Sequence, residues 1–137
     1  MGNTDELTKF LQDWQADALG AKQVFLEYKD FLDQCPNVEY EFVPRPNVSY
    51  SLRARNINQK ERNVFAIIDV IDDEPDNRWL SVCFYADMVT DPEEIGDFAP
   101  AGLYGQDALC FNMDEDDPHV KNYIFDRIRE AEKKASE

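Results

Sequence analysis

Val64-Phe65-Ala66-Ile67-Ile68-Asp69-Val70-Ile71, Asp72-Asp73-Glu74-Pro75-Asp76-Asn77 and Trp79-Leu80-Ser81-Val82-Cys83-Phe84-Tyr85 follow one another with only Arg78 between the last two. Two apolar runs of strand length therefore flank a polar segment with turn composition. A parallel return would need a crossover of a dozen or more residues, which this segment does not supply, so the two strands are expected to pair antiparallel. Val64 to Ile71 shows almost no polar face, which predicts a central strand covered on both sides.

Upstream the pattern changes to strict alternation. Val48, Tyr50, Leu52 and Ala54 alternate with Ser49, Ser51, Arg53 and Arg55, and Val38, Tyr40 and Phe42 alternate with Glu39 and Glu41. Each is the pattern of a half-buried strand, and Pro44-Arg45-Pro46-Asn47 breaks the two apart. Before them, Leu7, Phe10, Leu11, Trp14 and Ala18 recur at helical spacing, with Asn3 or Thr4 as cap and Asp5 and Glu6 in the first turn. Val24, Tyr28, Phe31 and Cys35, widened by Phe25 and Leu32, predict a second helix that Pro36-Asn37 stops. Gly20 separates the two helices.

Downstream, the run from Trp79 extends towards Val89, and Asp91-Pro92-Glu93-Glu94 reads as a helix start that Gly96 limits to about one turn. Phe98 to Gly105 reads as a connection punctuated by glycine and proline. Ala108 to Met113 reads as a last strand. Asp117-Pro118 opens a terminal helix with Val120, Ile124, Ile128 and Ala131 on its apolar face. The expected fold is one α+β domain over residues 1–137: a mainly antiparallel sheet of about five strands, with two N-terminal helices and one C-terminal helix packed on one face.

The chain of 137 residues is 43% hydrophobic and 12% aromatic, too apolar for a disordered acidic chain. Its formal net charge of −15 repels nucleic acid and anionic membranes. The start Met1-Gly2-Asn3-Thr4-Asp5-Glu6 has no signal-peptide pattern, and Glu6 stands where a myristoylation start wants Ser or Thr. The expected compartment is the cytoplasm. Cys35, Cys83 and Cys110 form no C-x-x-C pair and are read as packed thiols, Cys83 and Cys110 within apolar strands. With one histidine, no zinc site is expected.

One stretch runs against the overall charge. Between Pro44 and Asn63 lie Arg45, Arg53, Arg55, Lys60 and Arg62, against Glu61 alone. Arg53 and Arg55 are two apart on a strand and share a face. Guanidinium groups take carboxylate or phosphate through paired N–H donors, so these five residues are the candidate anion- or partner-binding set. The plain alternative is that they neutralise neighbouring carboxylates on an acidic protein.

Other candidates carry less. Asp114-Glu115-Asp116-Asp117 lacks the spacing of a calcium loop and is better read as charge and cap for the last helix. Asp72-Asp73-Glu74 reads as a solvated turn. His119 falls in the first turn of the terminal helix, where the dipole disfavours its protonation; no nucleophile stands near it in sequence. No serine lies in a G-x-S-x-G setting, and Gly102-Leu103-Tyr104-Gly105 is no phosphate loop. No cofactor or metal is expected.

From about Val38 to Ala135, the order of elements resembles the small bacterial YjbR/YdhG-like domains. A strand ends near Arg55, the apolar strands Val64–Ile71 and Trp79–Tyr85 follow, and after a glycine-containing connection Ala108–Met113 runs into a helix starting at Asp117. The resemblance implies an α+β fold and carries over no functional residue. The functional expectation is a non-catalytic cytoplasmic binding or regulatory module that recognises an anionic group or an acidic protein partner through its arginines. An acidic inhibitor or nucleic-acid mimic that binds a basic protein, and a small enzyme with a site assembled across strands, are the alternatives. The expected partners are a protein or a small anion, with self-association as a homodimer and no nucleic acid or membrane.

Overall fold

The computed structural model describes residues 4–15 and 19–137. Its elements are α1 (Thr4–Asp13), α2 (Ala21–Gln34), β1 (Val38–Arg45), β2 (Ser49–Asn56), β3 (Ala66–Ile71), β4 (Trp79–Tyr85), a 3-10 turn (Ala86–Met88), β5 (Asp97–Leu103), β6 (Gln106–Met113) and α3 (Pro118–Ser136). The six strands stand in the order β1-β2-β3-β4-β6-β5, and every neighbouring pair is antiparallel. The architecture is α+β, with the helices against one face of the sheet. Asn3 and Ala18, proposed as a cap and as part of the first apolar stripe, lie outside the described residues, as does Gly2.

Alternation builds the core. Phe42, Leu52, Ile68, Val82 and Phe111 stand opposite one another across five strands, and none is more than 2% exposed. Burying side chains of this size stabilises the fold by roughly 1.5–3 kcal/mol each. From α1, Phe10 stacks on Tyr50 at 4.1 Å and lies 5.5 Å from Phe42. The Tyr28 hydroxyl of α2 donates to the Lys121 carbonyl at 2.9 Å and so ties α2 to α3. Burial, aided by the nearby Glu27 carboxylate, pushes that phenol well up. The Asp117 carboxylate caps α3, accepting from the His119 and Val120 amides, as the acidic run before Pro118 predicts. Among the described residues no helix is long and apolar enough to cross a membrane.

Four local expectations are corrected. The stretch read as a connection, Phe98 to Gly105, contains most of a sixth strand, which pairs with β6 through a register irregularity between Ala99 and Leu103. Asp91-Pro92-Glu93-Glu94 is not a helix: the Asp91 carboxylate accepts the Ile95 and Gly96 amides at 3.1 and 2.9 Å, folding the segment into a turn. Gly96 suits the close packing there, because a Cβ would lie 2.9 Å from the Leu109 and Phe111 side chains and force them to shift. β3 is central but covered by helices on one face only; Asp69 and Ile71 are half-buried on the other. Asp72 is no solvated turn residue. It is 2% exposed, accepts the Asn47 amide at 2.9 Å and pairs with Arg78 Nε at 2.6 Å. The Arg78 guanidinium in turn lies over the rings of Phe10, Trp14 and Tyr50.

Candidate anion-binding face

The face of the sheet opposite the helices presents the other residue of each alternation. One row across it reads Glu41, Arg53, Ile67, Cys83, Cys110, Asp97, and the next reads Val43, Ser51, Asp69, Ser81, Asn112. All of these positions except Ile67 and Val43 are small or polar, because no helix demands an apolar surface there.

The five basic residues do not form one site. Arg55 stands opposite Glu39 in the β1–β2 ladder and is ion-paired with it. Arg62 is paired with Asp87 through two hydrogen bonds, at 2.6 and 2.9 Å, and also donates to the Gln106 side chain. Its guanidinium lies 4.1 Å from the centre of the Tyr85 ring and holds the Asp87 carboxyl below the usual carboxylate range. Arg62 and Lys60 line a cleft of 690 Å³ between the β2–β3 loop and the last turn of α3. Arg53 and Arg55 line a different hollow, of 510 Å³, with Glu39, Glu41, Asn63 and Tyr104. Arg45 stands at the far end of the β1–β2 hairpin, opposite Ser49.

Arg53 differs from its neighbours. Its Nε donates to the Ser51 hydroxyl at 3.3 Å. Although Glu41 is its register partner, it has no carboxylate within ion-pair distance among the described residues. The paired Nη groups therefore remain able to take an incoming oxyanion. Beside it lies Asp69, on β3. Burial pushes the Asp69 carboxyl up, while a hydrogen bond from Ser51 and the charges of Arg53 and Arg45 draw it back. Arg53 and Arg45 thus flank one half-buried carboxylate.

Asp69 carries no expectation from the sequence, whereas Tyr104, with Phe98 and Leu103, is one of three large apolar side chains in the 98–105 stretch expected either to tuck under the sheet or to present a contact surface. A single carboxylate inside an otherwise apolar strand was the available signal for Asp69. Tyr104 is 56% exposed and sits with Gly105 in a two-residue turn joining β5 to β6. Both have positive φ, 50° and 82°, the backbone that such hairpin turns need. The turn brings the tyrosine ring to the wall of the hollow.

A second polar cluster docks the 89–96 link on α3. The Tyr123 hydroxyl donates to Asp91 at 2.6 Å, and the Thr90 hydroxyl donates to Glu130 at 2.8 Å. Burial of Asp91 raises its carboxyl, but hydrogen bonds from Tyr123, Gly96 and Ile95 outweigh that, and it lies below the usual range. His119 Nε2 meets the Glu93 carboxylate at 2.8 Å, and this contact raises the imidazole pKa. That reverses the expectation from the helix dipole, since a carboxylate in hydrogen-bond contact outweighs a partial charge at the helix end. With each member used to hold the link, the cluster reads as structural.

Among the described residues no group of three or more His, Cys, Asp or Glu side chains is gathered to hold a metal ion. No family model, no curated protein and no solved structure matches this chain.

Proposed function

We propose that this protein is a non-catalytic binding module whose open sheet face receives a carboxylate or phosphate group of an acidic partner. Arg53 is the primary contact, Arg45 supports it across Asp69, and Arg55 stands beside it. The observation that carries the reading is that Arg53 lines a 510 Å³ hollow without a carboxylate partner, whereas Arg55 and Arg62 already have theirs. A fork of guanidinium N–H groups in that position favours planar oxyanions over point charges. Arg62, in a separate cleft that Lys60 also lines, is assigned to holding the β2–β3 loop through Asp87 and Gln106.

The test compares Arg53→Glu with Arg62→Glu. Both variants and the wild type are used to capture partners from a lysate of the source cell. In parallel each is titrated with inorganic phosphate and with a glutamate-rich peptide, while amide NMR shifts are followed. The reading expects shifts over Ser51–Arg55 and Asp69 in the wild type, absent in Arg53→Glu and kept in Arg62→Glu. Shifts confined to the Lys60–Arg62 cleft would move the site there, and identical behaviour of all three proteins would end the proposal.

A further inference from the structure

We infer that Cys83 and Cys110 form a redox-active site, whose disulfide exchanges with a small-molecule thiol of the glutathione class and thereby locks or loosens the β5–β6 hairpin. The sequence reading took both cysteines for packed thiols. The structure instead places them opposite each other in the β4–β6 ladder, disulfide-bonded, with Cα atoms 4.1 Å apart. Directly opposed residues at so short a separation belong to the closely spaced, non-hydrogen-bonded type of antiparallel pair. Alternation alone could not reveal this, because the partner of Cys83 is set by which strands become neighbours.

Access is the second observation. Both cysteines are half-buried, and both lie on the face of the sheet that carries no helix. A dissolved thiolate can reach a sulfur there without unfolding the core, which a disulfide on the helix side would require. Cys35 is placed differently. It lies at the end of α2, where its thiol donates to the Phe31 carbonyl. It is neither partner nor competitor for the pair.

The third observation is what the bond holds. Among the described residues β5 pairs only with β6, and β6 reaches the rest of the sheet through β4 alone. That ladder runs from Leu80 opposite Met113 to Tyr85 opposite Ala108, with the cysteines inside it. The hairpin beyond it carries Tyr104, on the wall of the Arg53 hollow, and Gln106, which accepts from Arg62. The bond closes a segment of sequence separation 27 that contains the whole of β5. Reduction would leave hydrogen bonds and side-chain packing to hold the hairpin.

The exchange balances. A thiolate attacks one cysteine sulfur, the S–S bond breaks, and the other cysteine leaves as thiolate, giving a mixed disulfide. A second thiol resolves it. The net change is one protein disulfide and two small thiols going to two protein thiols and one small disulfide, with two electrons and two protons moving to the protein.

The experiment uses the full chain as Cys35→Ser, with wild type beside it as a check carrying one constant extra thiol. Each is equilibrated without denaturant in buffers of graded reduced to oxidised glutathione, quenched in acid, alkylated and weighed intact. The expected result is a single transition from no modified thiols to two in Cys35→Ser. Over the same buffers, hydrogen exchange should rise in Asp97–Met113 and stay constant in Ser49–Ile71. A pair that remains oxidised at every ratio until denaturant is added would overturn the redox assignment. So would a pair that remains as two thiols in oxidised glutathione. A transition with unchanged exchange in the hairpin would overturn its role as a lock.

Discussion

Two rows of residues, one position apart along every strand, separate the covered face from the open one. Phe42, Leu52, Ile68, Val82 and Phe111 meet the helices and exclude water; Glu41, Arg53, Cys83, Cys110 and Asp97 lie on the side without helices, with Ile67 buried among them. The first row is constrained by volume, so its chemistry is uniform. The second is free of that demand and holds two charged register neighbours, a disulfide and the approach to a half-buried carboxylate. Stability is thus concentrated on one side of the sheet and chemical variety on the other.

The contrast can be broken most sharply on the covered side. Ile68→Ala should cost about 2–5 kcal/mol in urea denaturation, through lost burial and a residual cavity. Arg53→Ala, one row away, should change stability by no more than about 0.5 kcal/mol while removing anion binding. Equal losses at the two positions would erase the distinction.

On the open side the disulfide is the exception, a stabilising element among variable ones. Cys83→Ser/Cys110→Ser should lower the stability of the oxidised protein by about 3.5 kcal/mol, the loop-closure value for a segment of this length. The comparison is made by denaturant unfolding without reductant. A loss that persists in full when both proteins are reduced would assign the effect to packing instead.

Asp69 supplies a pH-dependent test of the same face. Its folded pKa lies above its unfolded value because of burial, so ionisation opposes folding. The penalty is absent below the unfolded value, grows as pH rises and is complete above the folded one. Asp69→Asn should therefore raise the melting temperature at neutral pH, and the gain should vanish as pH falls through the carboxylate range. A constant gain at all pH values would show that ionisation is not its source.

The smallest effect belongs to His119, in the first turn of α3. Its pKa is raised by the Glu93 carboxylate, so its contribution to stability is present below the unfolded imidazole value of about 6.5 and is lost as pH rises through the folded value. An NMR titration should place it above an unperturbed histidine and return it towards that value in Glu93→Gln. An unchanged titration in the variant would refute the contact.

Much of this fold is legible in the sequence. The alternation at Val38–Phe42 and Val48–Ala54 and the cap at Asp117 appear in place, while the apolar runs expected over Val64–Ile71 and from Trp79 towards Val89 form the shorter strands Ala66–Ile71 and Trp79–Tyr85. β5 was hidden because Pro100, Gly102 and Gly105 look like loop chemistry, while its strand character comes from pairing with β6. The turn at Asp91 carried every local sign of a helix start. The Tyr123 hydroxyl and the packing at Gly96 belong to distant partners and were invisible to those signs.

The basic stretch shows the same division. Composition marked five residues as a charged group, and local periodicity put Arg53 and Arg55 on one face. Which cations were already satisfied was settled by Glu39 across one ladder and by Asp87, 25 residues away in sequence. The sequence by itself determined three helices, five of the six strands and the covered face, which follow periodicities of two and 3.6 residues along the chain. Composition alone gave the sign of the local charge. The sixth strand, the Cys83–Cys110 pair and the separate places of Arg53 and Arg62 were decided only by tertiary structure. Each depends on which distant segments become neighbours, and strand pairing, unlike periodicity, leaves no mark on either segment alone.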